Sequence, residues 1–284
     1  MTGIAYEIRK NLFLPLLVIS CTGIVVAALF GSFSYSMDAG NVTVMQVLFY
    51  SREKLLSNIE LNRCAIFMRG VGVWSQICFP ILLTIGFIYG NSYEKNSGMC
   101  LFYFVRMGRK RYCFNKIAGM LISGIIVAFL GIVLYGIFVY IKLPAPSAYG
   151  QELCERFFMM YNSGTELSIV VKFLVNIIFY AIVSSVFPYL VSLIFTDKYI
   201  LVCMPVLLSY IYTSILNKLD YYAMNNGKEH LGKILEIMNP LSVISFSNGN
   251  IKYLSLGLGV ISLVMLYILS IMLMKKRGAV YGLE

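Results

Sequence analysis

Six apolar stretches, bounded by polar or glycine-rich sequence, dominate the hydropathy pattern of the chain. They fall at roughly 12–33, 71–90, 117–141, 168–195, 199–216 and 253–274. A bilayer core is crossed by about 20 mostly apolar residues in helical form. The pattern therefore predicts an all-α integral membrane protein with six transmembrane helices. The first run is too long for a secretory signal, and no small-residue cleavage site follows it. Only Thr196, Asp197 and Lys198 separate the fourth run from the fifth, which predicts a tight turn between antiparallel helices. Ahead of the first run, Ile4, Ile8 and Leu12 recur every four residues, while Glu7, Arg9 and Lys10 project elsewhere. That spacing predicts an N-terminal amphipathic helix over 1–11 lying in the interface, with a plain extension of the first span as the alternative.

Composition makes the membrane reading the governing one. Of 284 residues, 59% are hydrophobic and 13% charged, and the mean hydropathy is +0.80. A soluble domain carries about 25% charged residues, so too few are present to cover a soluble exterior. The same arithmetic excludes disordered, collagen-like, disulfide-rich secreted and nucleic-acid-binding classes.

The net charge of +10 is unevenly divided. An even number of spans puts both termini on one side. With that side cytoplasmic, the short inner segments hold Arg9, Lys10, Lys95, Arg106, Arg109, Lys110, Arg111, Lys116, Lys198, Lys275, Lys276 and Arg277. The inner segments then net +8 and the longer outer ones +2, so the positive-inside rule makes both termini cytoplasmic. The outer segments are 34–70, 142–167 and 217–250. In the first, Val47, Leu48, Leu55, Leu56 and Ile59 are spaced for a surface-lying helix. In the last, Leu231, Ile234, Leu235 and Met238 form one helical stripe that ends at Pro240. Trp74, the single tryptophan, marks the outer boundary of the second span. Cys64 and Cys154 both fall outside, where a disulfide is chemically permitted; the other five cysteines read as packing residues.

The chemistry missing from the runs narrows the function. No Asp, Glu, Arg or His lies within any of them, and Lys172 sits near an outer end where its stem can snorkel. Ion-coupled transport needs intramembrane ionisable groups or broken helices that present carbonyls. Pro15, Pro80, Pro188 and Pro205 interrupt four runs, which keeps an ion-coupled secondary transporter as an alternative, beside a non-transporting sensor or assembly component. His230 is the only histidine, so a two-His metal centre is excluded within the chain, and HExxH is absent. We therefore expect no enzyme, no catalytic residue, and neither a cofactor nor a metal bound by this chain. There is also no phosphate-binding G-x-x-x-x-G-K-[ST] loop; ATP-driven work would need a separate polypeptide.

One inner loop is large enough to receive such a partner. Residues 91–115 read NSYEKNSGMCLFYFVRMGRKRYCFN. Glu94 and Lys95 continue the helical spacing of the second span, and Gly98 can end that helix. The pentad from Leu101 to Val105, with Phe102 and Phe104, is too short to span and too apolar to lie bare in water. Arg106, Arg109, Lys110 and Arg111 follow it. As topogenic charges, these also meet anionic lipid.

This loop is similar to that of the type-2 ATP-binding-cassette (ABC) permeases, the membrane subunits of bacterial ABC exporters. In that family it carries an E-x-x-x-G-T…P-x-S-R…K-like pattern. Glu94, Gly98, Arg109 or Arg111, and Lys116 fall in matching order, whereas Met99 replaces the Thr, and Met107-Gly108 stands where a Pro-Ser pair is usual. Asn239-Pro240-Leu241-Ser242, before the last run, resembles the family's motif after its fifth helix. The resemblance implies a single permease domain over 1–284, whose loop residues Glu94, Gly98, Phe102, Phe104, Arg106, Arg109, Lys110, Arg111 and Lys116 couple to an ATPase. The helix bearing Glu7, Arg9 and Lys10 would touch that ATPase too. It further implies two separate ATPase subunits that bind ATP and Mg, a second identical or related permease chain, and a path lined by the first and fifth spans. Gly23, Ala27 and Gly31 put small residues on one face of the first span, suited to a dimer seam or to intrachain packing; Gly119, Ser123, Gly124 and Ala128 make a similar stripe in the third. A path without charges would suit an amphipathic or apolar cargo such as a peptide, lipid or drug, with self-protection against antimicrobial peptides as one setting.

Overall fold

The computed structural model describes residues 3–34, 41–58, 60–71, 73–148, 150, 152, 165–243 and 249–280. The chain opens with α1 (Gly3–Asn11), which meets α2 (Leu14–Leu29) at a 60° bend. Pro15 occupies the first turn of α2, where its missing N–H would have had no helical partner. An antiparallel ribbon of β1 (Ser32–Ser34) and β2 (Asn41–Thr43) pairs Phe33 with Val42. In place of one surface helix come α3 (Val44–Leu48) and α4 (Arg52–Ser57), split because Thr43 and Ser51 each begin a new helix by capping its backbone. Val47 and Leu55 are buried, Leu56 is exposed, and Ile59 lies outside the described residues. The short α5 (Arg63–Gly70) is capped by Asn62.

The second apolar run departs from expectation. It forms two helices, α6 (Val73–Leu82) and α7 (Ile85–Asn96), parted at Leu83 and Thr84. Pro80 withholds an N–H from the ladder, and Thr84 turns its hydroxyl back to the Pro80 carbonyl. Neither piece, at 10 and 12 residues, reaches across a bilayer alone. The inner-loop pentad lies in α8 (Met99–Met107), followed by the 34-residue α9 (Arg109–Lys142). Gly98 and Gly108, at φ +72° and +77°, bracket α8 in the left-handed region that favours glycine.

The fourth run is α10 (Glu166–Ser184) continued by α11 (Val186–Ile194), with Pro188 just past the Ser185 joint. Asp197 caps α12 (Lys198–Asn225), accepting from the backbone of Tyr199 and Ile200 at 2.8 and 3.2 Å. Pro205 sits inside α12 without breaking it. That helix outlasts its apolar run because Leu216 and Ala223 pack with Leu235 of α13 (Glu229–Met238). A 3₁₀ turn, Pro240–Val243, leads towards α14 (Gly249–Val280).

Four helical stretches are long and apolar enough to cross a membrane: Arg109–Lys142, Glu166–Ile194, Lys198–Asn225 and Tyr253–Leu273. The bent pair of α1 and α2 makes a fifth if counted as one span. These helices bear out the coarse expectation of a helical, multi-pass membrane protein. Large apolar side chains stay exposed along α2, α12 and α14, among them Val18, Ile211 and Met265, as a lipid-facing surface requires.

Two apolar cores are stacked along the helices. One gathers Ile24, Phe67, Phe79, Tyr135, Phe173 and Tyr180; the other gathers Phe87, Met120, Tyr189, Leu201 and Leu266. Beyond the first core, Arg63 of α5 donates two bonds of 2.7 Å to Glu166 at the start of α10 and stacks on Tyr140 of α9. Cys64 is buried beside this clamp, while Cys154 lies outside the described residues.

Candidate functional site

The second core ends in a buried cluster of four charges contributed by three helices. Glu7 and Lys10, three residues apart in α1, share a helix face. Opposite them stand Glu94 of α7 and Lys116 of α9. The Lys10 ammonium donates to Glu7 Oε2 and to Glu94 Oε1, both at 2.6 Å. Lys116 lies 3.0 Å from Glu7 Oε1 and donates to Glu94 Oε2 as well. Each carboxylate thus faces both ammonium groups, and the formal charges cancel. The Tyr112 hydroxyl, one turn before Lys116, donates to Glu94 Oε2 at 3.1 Å. The side chains of Glu94 and Lys116 are only 2% and 4% exposed. Desolvating such charges is costly unless each one is paired and hydrogen-bonded, which this arrangement achieves.

Glycines make the approach of α1 close. A Cβ at Gly86 would lie 1.9 Å from the Asn11 carbonyl oxygen, one at Gly90 would lie 2.6 Å from Lys10 Cε, and one at Gly119 would lie 2.5 Å from Glu7 Cβ. Gly86 and Gly90, one turn apart on α7, and Gly119 on α9 form a groove without side chains, and α1 lies in it. Asn11 continues the buried polar face of α1, and its amide donates to Ser123 at 3.3 Å. The face of α1 turned into the protein is therefore the polar one, whereas Ile4 and Ile8 are only half-buried. This reverses the expected disposition of Glu7 and Lys10; Arg9 alone projects outward. The inversion has a physical cause: two ammonium–carboxylate partners wait in a groove too narrow for bulky side chains.

α7 is also anchored on its other side. Lys95 donates to the Ser192 carbonyl, and Ser92 donates to the Thr196 carbonyl at 2.8 Å, satisfying acceptors at and beyond the end of α11.

The structure thus brings Glu7, Lys10, Glu94 and Lys116 together, and it places the remaining loop residues apart from them. Gly98 is the joint between α7 and α8, with nothing within 4 Å of a Cβ placed there. Phe102 is 61% exposed, as is Val105 at 70%, one turn on; the side chain of Phe104 lies outside the described residues. Arg106, Lys110 and Arg111 are exposed and Arg109 is half-buried. On the first span, Gly23 packs against Leu82 and Gly31 against Gly70. Ala27 and Gly23 border an apolar groove of about 440 Å³ that Val206 of α12 also lines. Around Pro240, the Tyr212 hydroxyl donates to the Met238 carbonyl at 3.0 Å, and Asn239 donates to Asn217 at 3.0 Å.

Tyr112, Asn11, Gly86 and Gly90 are not among the residues that the sequence singles out, and Ser123 enters there only as part of the small-residue stripe of the third span. Tyr112 lies four residues before Lys116, Asn11 four after Glu7, and the two glycines stand four apart, so each was signalled only by helical spacing from a charge or from its twin.

The cluster has a pH signature. Burial works against the Glu94 charge, but Lys116 and Lys10 outweigh it and hold its carboxyl below the ordinary value of 4.5. Burial likewise opposes the Lys10 charge, and Glu7 and Glu94 outweigh it and raise its pKa. A depressed carboxylate stabilises fully above its ordinary pKa and loses that contribution as pH falls through the folded value. For Lys10 the loss comes instead as pH rises beyond its ordinary 10.5. Thermal unfolding of the purified chain should therefore show no loss from the Glu94 contacts down to about pH 4.5 and a growing loss below it. A Glu94→Gln variant should lack that acid limb.

Comparison with family models, with curated proteins and with solved structures finds no match to the chain.

Proposed function

We propose that the chain is the permease subunit of an ABC exporter, with six spans and both termini cytoplasmic. The broken apolar run 71–90, carried by α6 and the start of α7, counts as the second span, and α1 and the end of α7 lie at the inner membrane surface. The reading is supported above all by one observation: the buried, charge-balanced cluster fastens α1 and α9 to α7, next to an exposed helix, α8, that is set between two glycine joints. A load on α8 would pass through α7 and α9 into the cluster and on to α2. α8 would be the contact for a separate ATPase that binds ATP and Mg, two copies serving a pair of permease chains, identical or related. Phe102 and Val105, adjacent on one exposed face, are the residues such a contact would cover.

The apolar groove between α2, α6 and α12 suits the same reading, because a route bordered by Val26, Phe30 and Ile81 offers no fixed partner for a hydrated ion. An amphipathic or apolar cargo, such as a peptide, lipid or drug, matches it better. Self-protection against an antimicrobial peptide in a bacterial membrane is one setting for such a cargo. The balanced cluster also weighs against proton coupling, because both carboxylates are already matched by ammonium groups.

The chain, tagged and purified from its native membranes in mild detergent, should bring with it an ATP-hydrolysing subunit. Phe102→Ser/Val105→Ser should lose that activity while keeping the wild-type unfolding temperature. Elution without any nucleotide-binding partner would overturn the reading.

A further inference from the structure

A second site lies beside the cluster, on the side of α1 that faces α8. There α1, α8 and the start of α9 enclose an open groove of about 830 Å³. Its lining combines two chemistries. Ile4, Met107 and Phe114 form an apolar wall, with Phe114 54% exposed. Arg106 and Arg111 border the groove with exposed guanidinium groups. Among the described residues no carboxylate lines it, and the chain carries none between Glu94 and Glu152. The nearby Glu7 and Glu94 are already held by Lys10 and Lys116. Within the lining, Tyr103 donates to the Tyr6 hydroxyl at 3.0 Å. Asn115, 6% exposed, also lines the groove, and its amide donates to a thioether, Met107 Sδ at 4.0 Å. A thioether is a weak acceptor, so the amide keeps donor capacity for a better one.

From these features we infer that the groove binds the phosphate-bearing headgroup of an anionic phospholipid. Two guanidinium groups with no carboxylate beside them match a phosphodiester. The Asn115 amide adds a neutral donor, and the apolar lining of Ile4 and Phe114 accepts the first acyl carbons. Depth in the membrane fits as well. α9 passes from Arg109, Lys110 and Arg111 to continuous apolar sequence after Lys116, so the groove stands at headgroup level. The site uses Tyr103, Arg106 and Met107 of α8, whereas Phe102 and Val105 point to another sector of that helix, leaving the proposed ATPase contact open. The inference needs only that α1 and α8 lie at a membrane surface; it does not depend on an ATPase partner.

The test uses the full chain alone in a neutral detergent. Phosphatidylglycerol, phosphatidylcholine and inorganic phosphate are each titrated while the unfolding temperature is followed. Phosphatidylglycerol should raise it in a saturable manner, and the other two should not. Arg106→Gln/Arg111→Gln, with an unchanged lipid-free unfolding temperature, should bind phosphatidylglycerol about tenfold or more weakly. Lys110→Gln, which removes a charge outside the groove, should bind normally. An equal response to phosphatidylcholine would overturn the headgroup assignment. An equal response to inorganic phosphate would make this a soluble-anion site instead. If Lys110→Gln lost as much as the double variant, attraction would be diffuse and the groove would not be the site.

Discussion

Replacing Glu94 with alanine is expected to cost about 3–5 kcal/mol of stability, the range for removing one member of a buried ion pair. The carboxylate meets two ammonium groups and one phenol. Its removal leaves Lys116 and Lys10 sharing the single charge of Glu7, with a net positive charge in a site largely shielded from water. A conservative Gln would restore volume and one acceptor while leaving that imbalance. The decisive companion is Glu94→Leu/Lys116→Met, which removes one charge of each sign and leaves Glu7 paired with Lys10. Swapping a buried pair for apolar groups of similar size is often neutral or stabilising, so the double variant should unfold at a higher temperature than either single one. If Glu94→Ala unfolds like the wild type, the cluster does not hold α1 in place.

Gly86→Val should detach α1 from the rest of the molecule. The first added carbon would fall 1.9 Å from the Asn11 carbonyl oxygen and 2.8 Å from its carbon. Both are backbone atoms, so no rotamer change relieves the clash; the α1–α2 junction itself must move. Overpacking of ordinary cores costs about 1–3 kcal/mol, and a clash with backbone belongs at or above the top of that range. Hydrogen exchange provides the readout: residues 3–11 should exchange faster, while the interior of α9 stays protected. Gly257→Ala is the matched control. A Cβ there meets nothing within 4 Å, and alanine is the better helix former by about 1 kcal/mol, so that variant should be neutral or slightly more stable. Unchanged exchange over 3–11 in Gly86→Val would show that α1 is not seated in the glycine groove.

Both expectations concern features that linear patterning conveys poorly. The third to sixth apolar runs became helices near their expected places, since a long apolar stretch between polar ends leaves the backbone few ways to satisfy its own hydrogen bonds in lipid. The Asp197 turn was similarly plain, because Asp at that position caps the helix it precedes. The break at Leu83 and Thr84 was legible only as the interruption by Pro80: hydropathy continues through it, and Pro205, which interrupts its run in the same way, leaves α12 unbroken. The burial of Glu7 was missed for a different reason. Amphipathic reasoning assigns polar residues to water, and the distant partners that reverse the assignment are Lys116, 109 positions from Glu7, and Glu94, 84 positions from Lys10. Small residues at helical spacing on α7 were the available hint, and they gain meaning only once α1 is placed across them.

The neutrality of the four-residue cluster bears on how the protein responds to electrical work. A single unbalanced charge carried through the full field of a membrane changes the energy by about 2.3 kcal/mol per 100 mV. Glu7, Lys10, Glu94 and Lys116, moving together, carry no net charge. When α1, α7 and α9 shift with these contacts intact, the cluster itself therefore adds no gating charge, and any voltage dependence must come from the basic residues outside it.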